Sequence, residues 1–300
     1  MDEQERKEAI AQLSGDLQKI ANDNNVLVLS FIAPDKGVRV SPIGSISAAL
    51  DIEDIYEIEK VVESLENDGP LPKTLHLIIQ TPGGYVHVAT KISKYLRDTF
   101  ENIHAFVPYE ASSGGTVLCL AANQITMGKM ANLTPIDPQT IYKGNSVSVT
   151  SYQQAVNDFK KSFGTMTPEE IPPPYRQLVE KLDPIILQEM NKVYLDSMLV
   201  AVDLLEASYK PQNDDDMEQI MRTARSLTFS PRNHNHLINA KEASNLGLRI
   251  DDTVKNKNLL KIYKNWVSLI LREEKSSHVI HHFKPKKKAN NKKSVSRKKS

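Results

Sequence analysis

Two glycine turns, Thr81-Pro82-Gly83-Gly84 and Ala111-Ser112-Ser113-Gly114-Gly115, place Gly83 and Ser113 30 residues apart, each turn after an apolar run and before a helical one. A Pro-Gly-Gly turn leaves backbone N–H groups unobstructed, and a helix start adds further free N–H groups at the positive end of a dipole. Two such turns brought together make an anion or oxyanion pocket. The second turn also supplies hydroxyls. A serine at a helix start, followed by two glycines, can expose its Oγ while the next N–H faces a developing oxyanion, which makes Ser113 the candidate nucleophile. The pattern departs from the hydrolase elbow Gly-x-Ser-x-Gly, because Ala111 stands two residues before Ser113. By itself, Ser-Gly-Gly also reads as an ordinary helix cap.

Other reactive side chains offer less. The single cysteine, Cys119, sits in Val117-Leu118-Cys119-Leu120-Ala121-Ala122 and reads as a buried small hydrophobe. His234 and His236 diverge at i and i+2 on a helix and read as structural, and His278, His281 and His282 lack neighbouring ligands in a zinc pattern. No metal is expected. Neither turn ends in the Gly-Lys-Ser/Thr of a Walker loop, so no nucleotide or other cofactor is expected. Asn132-Leu133-Thr134 matches a glycosylation sequon by chance, given the absence of a secretory signal.

The elements that must position the two turns alternate between strand and helix. Strands are expected at Asn25–Ile32, Leu75–Ile79, Ile103–Val107 and Gln124–Met127, and helices at Asp54–Leu65, Val86–Arg97 and Thr116–Ala122. This is an α/β pattern with ligands at the carboxyl ends of the strands. Gln4 to Ala21 has helical spacing, and residues 1–24 read as a docking helix. After Pro138 the texture becomes α-rich, with helices at Tyr152–Phe163, Tyr175–Leu205 and Met217–Ser226, giving a helical insertion at about 150–228. Ile238–Ala243 starts a helix that Gly247 closes, residues 253–275 hold a last helix, and 276–300 read as a basic disordered tail.

Three hundred residues with 40% hydrophobic and 25% charged side chains are enough for a sizeable core and exclude a staple-dependent scaffold or a disordered chain. The net charge of +1 conceals an asymmetry. Nine of the 38 Lys and Arg lie in Lys284–Ser300, which holds no acid, so the rest of the chain is negative. Such a block suits an acidic partner, nucleic acid or anionic lipid, although no aromatic residues are interleaved for stacking on single strands. No apolar run is long enough to span a membrane, and the start, Met1-Asp2-Glu3-Gln4-Glu5-Arg6, is unlike a signal peptide. A cytoplasmic location is expected.

The two turns, together with Leu120-Ala121-Ala122-Asn123-Gln124-Ile125, Leu133-Thr134-Pro135-Ile136-Asp137-Pro138-Gln139 and the segment His236–Leu248, resemble the Clp-fold serine peptidases. Within these the chain is similar to the serine dehydrogenase proteinase family, relatives of signal peptide peptidase A and the Clp proteolytic subunit. The resemblance implies a ClpP/crotonase-like fold of repeated β-β-α units over residues 25–252, with the α-helical region added, and a homo-oligomer that hydrolyses peptide or protein substrates. It maps Ser113 onto the nucleophile, with Gly114 supplying one N–H of the oxyanion hole and Gly83 or Gly84 the other. A Clp-type triad is not expected, since this chain has Asp137 on the segment where the Clp subunit carries its histidine, and the acid would fall near Asn235. The Ser–Lys dyad of signal peptide peptidase A instead calls for a lysine made less basic by burial. Lys181 is the first choice, with Lys160 and Lys161 as alternatives. Asp137 either orients the base or is structural. Two other readings stay open: a non-catalytic oligomeric scaffold docking partners through its tail, and a crotonase-like acyl-thioester enzyme that needs no serine.

Overall fold

The computed structural model describes residues 2–34, 38–41, 44–47, 49–136, 139–142, 145–180, 184–229, 236–272 and 278–286. In chain order the elements are α1 (Glu3–Asn24), β1 (Leu27–Ile32), β2 (Val38–Ser41), β3 (Gly44–Ser47), α2 (Ile52–Asn67), β4 (Thr74–Gln80), α3 (Val86–Thr99), β5 (Asn102–Val107), β6 (Glu110–Ala111) and α4 (Gly114–Leu120). They continue with β7 (Gln124–Met127), β8 (Asn132–Leu133), β9 (Gln139–Tyr142), β10 (Asn145–Ser148), α5 (Val149–Phe163), α6 (Pro173–Val179), α7 (Pro184–Tyr209), α8 (Asp214–Thr228), α9 (Ala240–Asn245), α10 (Val254–Ile270) and β11 (Val279–Phe283).

The main sheet runs β11-β1-β4-β5-β7, with β1, β4, β5 and β7 parallel. Both of its faces are covered, which is why β1 and β4 read as nearly continuous apolar runs. Leu27, Leu29 and Phe31 point into the core formed with α2, α3, α4 and α7, whereas Val28 and Ile32 point to the opposite core with Leu17 of α1 and Tyr263 and Trp266 of α10. The one polar residue in β1, Ser30, accepts a hydrogen bond from Trp266 Nε1 at 3.2 Å. Shorter pairings extend the carboxyl end of the sheet: Thr81 with Ala111, Ala111 with Leu133, and Leu133 with Ile238. These link the two glycine turns to later parts of the chain.

Two sequence boundaries are corrected. The helix expected over Tyr175–Leu205 is two helices, α6 and α7, with α7 opening at Pro184, a residue that fits the first helical turn and breaks a helix interior. Within the span expected as a disordered tail, Val279–Phe283 instead forms β11, which pairs antiparallel with β1 from Ile32↔Val279 to Val28↔Phe283. Val279 and Phe283 join the α1/α10 core, with Phe283 edge-on to Trp266 at 5.6 Å, and Ile280 packs on the opposite side.

Lys284, the first residue of the acid-free basic block, belongs to the fold. Its Nζ donates to the carbonyls of Leu65 and, at 2.7 Å, Gly69, supplying a cation at the negative end of α2. Lys284→Met is expected to lower stability by about 1–2 kcal/mol, read from urea unfolding, since two charge-assisted bonds at a half-buried site are lost. A truncation that includes Lys284 therefore removes a helix cap along with the basic charges.

Candidate active site

The two glycine turns meet. A Cβ placed on Gly83 would lie 2.5 Å from the Ser112 carbonyl oxygen and 2.9 Å from Ser113 Cβ, and one on Gly84 would strike the Leu50 backbone, 2.5 Å from its oxygen. Both have positive φ, +99° and +146°, so only glycine fits without strain. Gly83→Ala and Gly84→Ala are each expected to cost about 2–3 kcal/mol in urea unfolding, combining backbone strain with a contact that no flexible side chain can relieve.

The Gly83–Gly84 peptide is held in one orientation. The Gly83 carbonyl accepts from Leu50 N–H at 2.7 Å, and Tyr85 N–H donates to the Leu50 carbonyl at 3.1 Å. In a trans peptide the N–H points opposite to the carbonyl, so the Gly84 N–H is directed away from Leu50. The Gly84 carbonyl lies on the side of Gly114, 3.3 Å from where a Gly114 Cβ would be. Gly83 N–H is already engaged, donating to Thr81 Oγ1 at 3.1 Å. Neither Gly84 N–H nor Gly114 N–H has an acceptor among the described residues.

Ser113 stands at the N-cap of α4 with φ 48° and ψ −109°, a conformation that costs a non-glycine residue about 1–3 kcal/mol. What holds it there is Thr134. Its Oγ1 accepts Ser113 N–H at 2.8 Å, and its carbonyl lies 2.7 Å from Thr116 Oγ1, which also reaches the Ala111 carbonyl at 2.9 Å. The Ser113 side chain does not cap its helix; the residue is half-exposed, and no hydrogen-bond partner takes its Oγ among the described residues. Ser112 is its opposite: buried, with Oγ donating to Glu110 Oε1 at 2.6 Å. The backbone thus separates the two serines into one structural hydroxyl and one available hydroxyl beside two unengaged N–H groups.

Lys160 and Lys161 are in the last turn of α5, with exposed side chains. Lys181, Asp137, His234 and Asn235 lie outside the described residues. His236 Nε2 is 2.7 Å from Glu242 Oε1 at the start of α9. Burial pushes the Cys119 thiol pKa up, consistent with an inert core residue. Among the described residues no cluster of His, Cys, Asp and Glu could hold a metal ion, and no helix is long and apolar enough to cross a membrane.

Sequence reading missed Thr81 and Thr134 as supports of the turns, although both stand inside the motifs it singled out; a threonine next to a strained turn was the available signal. It also missed Asp54 and His278, which no local pattern connects to the turns.

The model of the ClpP-like SDH-type serine proteinase family matches residues 2–164. The chain belongs to that family. The uncharacterized protein MJ0137 of Methanocaldococcus jannaschii is 30% identical over 251 residues, covering 83% of this chain and 77% of the relative. A second protein of that organism, the uncharacterized protein MJ1495, is 27% identical over 218 residues, or 71% of this chain and 64% of its own length. Among solved structures, a serine-to-alanine variant of the 1510-N membrane-bound stomatin-specific protease aligns at 12% identity and a TM-score of 0.43, over 71% of this chain and 80% of that one. A lysine-to-alanine variant of the same protease, in complex with a substrate peptide, aligns at 18% identity and a TM-score of 0.30, over 36% and 52% of the two chains. The chain has the α/β, ClpP-like fold that the resemblance implies, and its main sheet is mostly parallel.

Proposed function

We propose that the protein hydrolyses peptide bonds through an acyl-enzyme on Ser113. The observation that carries this reading is the strained, half-exposed Ser113 with its Oγ unpartnered among the described residues, next to the unengaged N–H groups of Gly84 and Gly114. Ser113 Oγ attacks the scissile carbonyl carbon while a neutral lysine takes its proton. The carbonyl oxygen becomes an oxyanion that Gly84 N–H and Gly114 N–H stabilise, and Gly83 serves as the spacer that fixes their approach. The C–N bond then breaks, the lysine ammonium returns a proton to the leaving amine, and water hydrolyses the ester by the same route. Lys181, Lys160 or Lys161 supplies the base and Asp137 its orientation. Lys181 is favoured, because the exposed heads of Lys160 and Lys161 in the single chain lack the burial a neutral amine requires.

A fluorophosphonate probe tests the reading. The expected result is one adduct, located on Ser113 by mass spectrometry, that is absent from Ser113→Ala and retained in Ser112→Ala. A folded wild-type protein that stays unlabelled, or an adduct that persists in Ser113→Ala, overturns it. Replacing each lysine by methionine and following labelling against pH identifies the base as the residue whose loss removes the rise of labelling with pH, the acid-side limb of the profile.

A further inference from the structure

His278, at the entry to β11, is joined to the glycine turn by a chain of buried contacts. Its Nε2 is 2.8 Å from Thr81 Oγ1, and Thr81 Oγ1 accepts Gly83 N–H. On the other side of the ring, Asp54 Oδ2 is 3.1 Å from Nδ1, close but too bent for a well-aligned hydrogen bond. The imidazole stacks on Phe31 with centroids 4.1 Å apart and planes 13° from parallel. Thr81 is fully buried, Asp54 is 2% exposed and the His278 side chain is sealed from solvent.

The order of donors follows from the groups. Ionised Asp54 only accepts, and Oδ2 already takes Asp51 N–H at 2.8 Å at the start of α2. The ring proton therefore belongs on Nδ1, facing the carboxylate, because the other tautomer would set a lone pair against it. Nε2 then accepts from the Thr81 hydroxyl, whose proton is committed to the ring and whose lone pair is left for Gly83 N–H. Carboxylate, imidazole and hydroxyl in this order have the form of a nucleophile-activating relay, but Thr81 is inaccessible to any substrate. What the relay can deliver is orientation.

We propose that His278 is a positioning residue for the oxyanion turn, acting through Thr81. The Gly83–Gly84 peptide is gripped twice: Leu50 N–H holds the Gly83 carbonyl, and Thr81 Oγ1 holds the N–H one residue earlier. Both grips lead back to the start of α2, one through Leu50 and one through His278 and Asp54. Loss of the ring frees the Thr81 hydroxyl to rotate, loosens Gly83 and lets the Gly84 N–H swing out of line. This inference rests on the reading of Ser113 as nucleophile and Gly84 as oxyanion donor.

The test uses the full chain with Thr81→Val, Thr81→Ser, His278→Phe and His278→Gln, the phenyl ring preserving the stack on Phe31 and the glutamine restoring a polar group near Nε2. Three quantities are read: the second-order rate of Ser113 phosphonylation, amide exchange at Gly83 by NMR, and urea stability. Thr81→Val and His278→Phe are expected to slow phosphonylation about 10- to 100-fold, short of deleting an oxyanion donor outright. They are also expected to speed Gly83 exchange at least about 10-fold relative to the Leu77 amide in β4. Thr81→Ser and His278→Gln should recover most of both. Phosphonylation and Gly83 exchange within about 2-fold of wild type would overturn the proposal. So would acceleration of Gly83 and Leu77 together, or failure of both conservative variants to restore. A wild-type chain that is never labelled at Ser113 sinks the proposed function instead, and Gly83 exchange then decides the positioning role alone.

Discussion

Ser113→Ala is expected to reduce peptide hydrolysis at least about 10⁴-fold, the scale seen when an activated nucleophile is deleted, while Ser112→Ala retains activity within about 10-fold. The contrast follows from geometry. Ser112 Oγ is spent on Glu110, so its removal costs a buried hydrogen bond, whereas Ser113 Oγ supports no contact among the described residues and its removal costs only chemistry. Stability should move the other way. Alanine inherits the φ of 48° and leaves the urea midpoint nearly unchanged, but Ser113→Gly relieves the strain and is expected to stabilise the protein by about 1–2 kcal/mol while being equally inactive. A Ser113→Gly variant less stable than wild type would show that the backbone at this position carries no stored strain.

Strain at Ser113 is affordable because so much else over-determines it. Thr134 clamps the Ser113 N–H, Thr116 ties Thr134 to Ala111, and Gly83 packs against Ser113 Cβ. The same packing explains why two Gly-Gly steps are needed where one would make a turn: a Cβ on Gly83 or Gly84 would strike backbone, and one on Gly114 or Gly115 would strike the side chain of Leu50 or Thr81.

The sequence carries these turns legibly. Leu75–Ile79 and Ile103–Val107 are mostly apolar runs of strand length followed, after two and four residues, by Pro-Gly-Gly and Ser-Ser-Gly-Gly, so strand, turn and helix announce one another within about 20 residues. Where the physics is non-local the sequence is silent. Val279–Phe283 has no strong alternation and adjoins a basic run, so its apolar residues gain meaning only from β1 and Trp266. Thr81 and His278 are separated by 197 residues, and the contact that joins them exists because β11 pairs with β1 in one register. The division of α6 from α7 was locally visible at Pro184, but the apolar spacing continues across it and masks the break. The general base is the least legible part, because a lysine with an apolar stripe and a lysine with a solvated head share the same periodicity.

Acid is expected to unfold this protein through two buried histidines of the main sheet. His76 in β4 lies against Tyr263 and His104 in β5 against Phe106, 7% and 5% exposed. Burial, aided by the charges of His104 and Lys255, lowers His76 to about 3; burial also lowers His104 to about 4, against a smaller opposing pull from Asp251. Hydrogen bonds agree with neutral rings. Thr126 Oγ1 donates to the Asp251 carbonyl, so it accepts from His104 Nε2 at 2.8 Å, and Nδ1 is left to accept from Gln124 Nε2 at 3.0 Å. A second ring proton would have to displace that donor. Because both pKa values are depressed on folding, the unfolded chain binds more protons below pH 6.5, and stability rises with pH in that window. It is fully present above about 6.5 and drains as pH falls toward 4 and then 3. With about 1.4 kcal/mol per pH unit for each histidine, the loss by pH 4.5 reaches about 5 kcal/mol as an upper bound. Urea unfolding at pH 7, 6, 5 and 4.5 measures it, with His104→Gln expected to remove about one proton from the slope. A stability that stays flat from pH 6.5 to 5 would mean that both rings find water or an anion when protonated, and that the closed packing around Tyr263 opens more cheaply than its burial suggests.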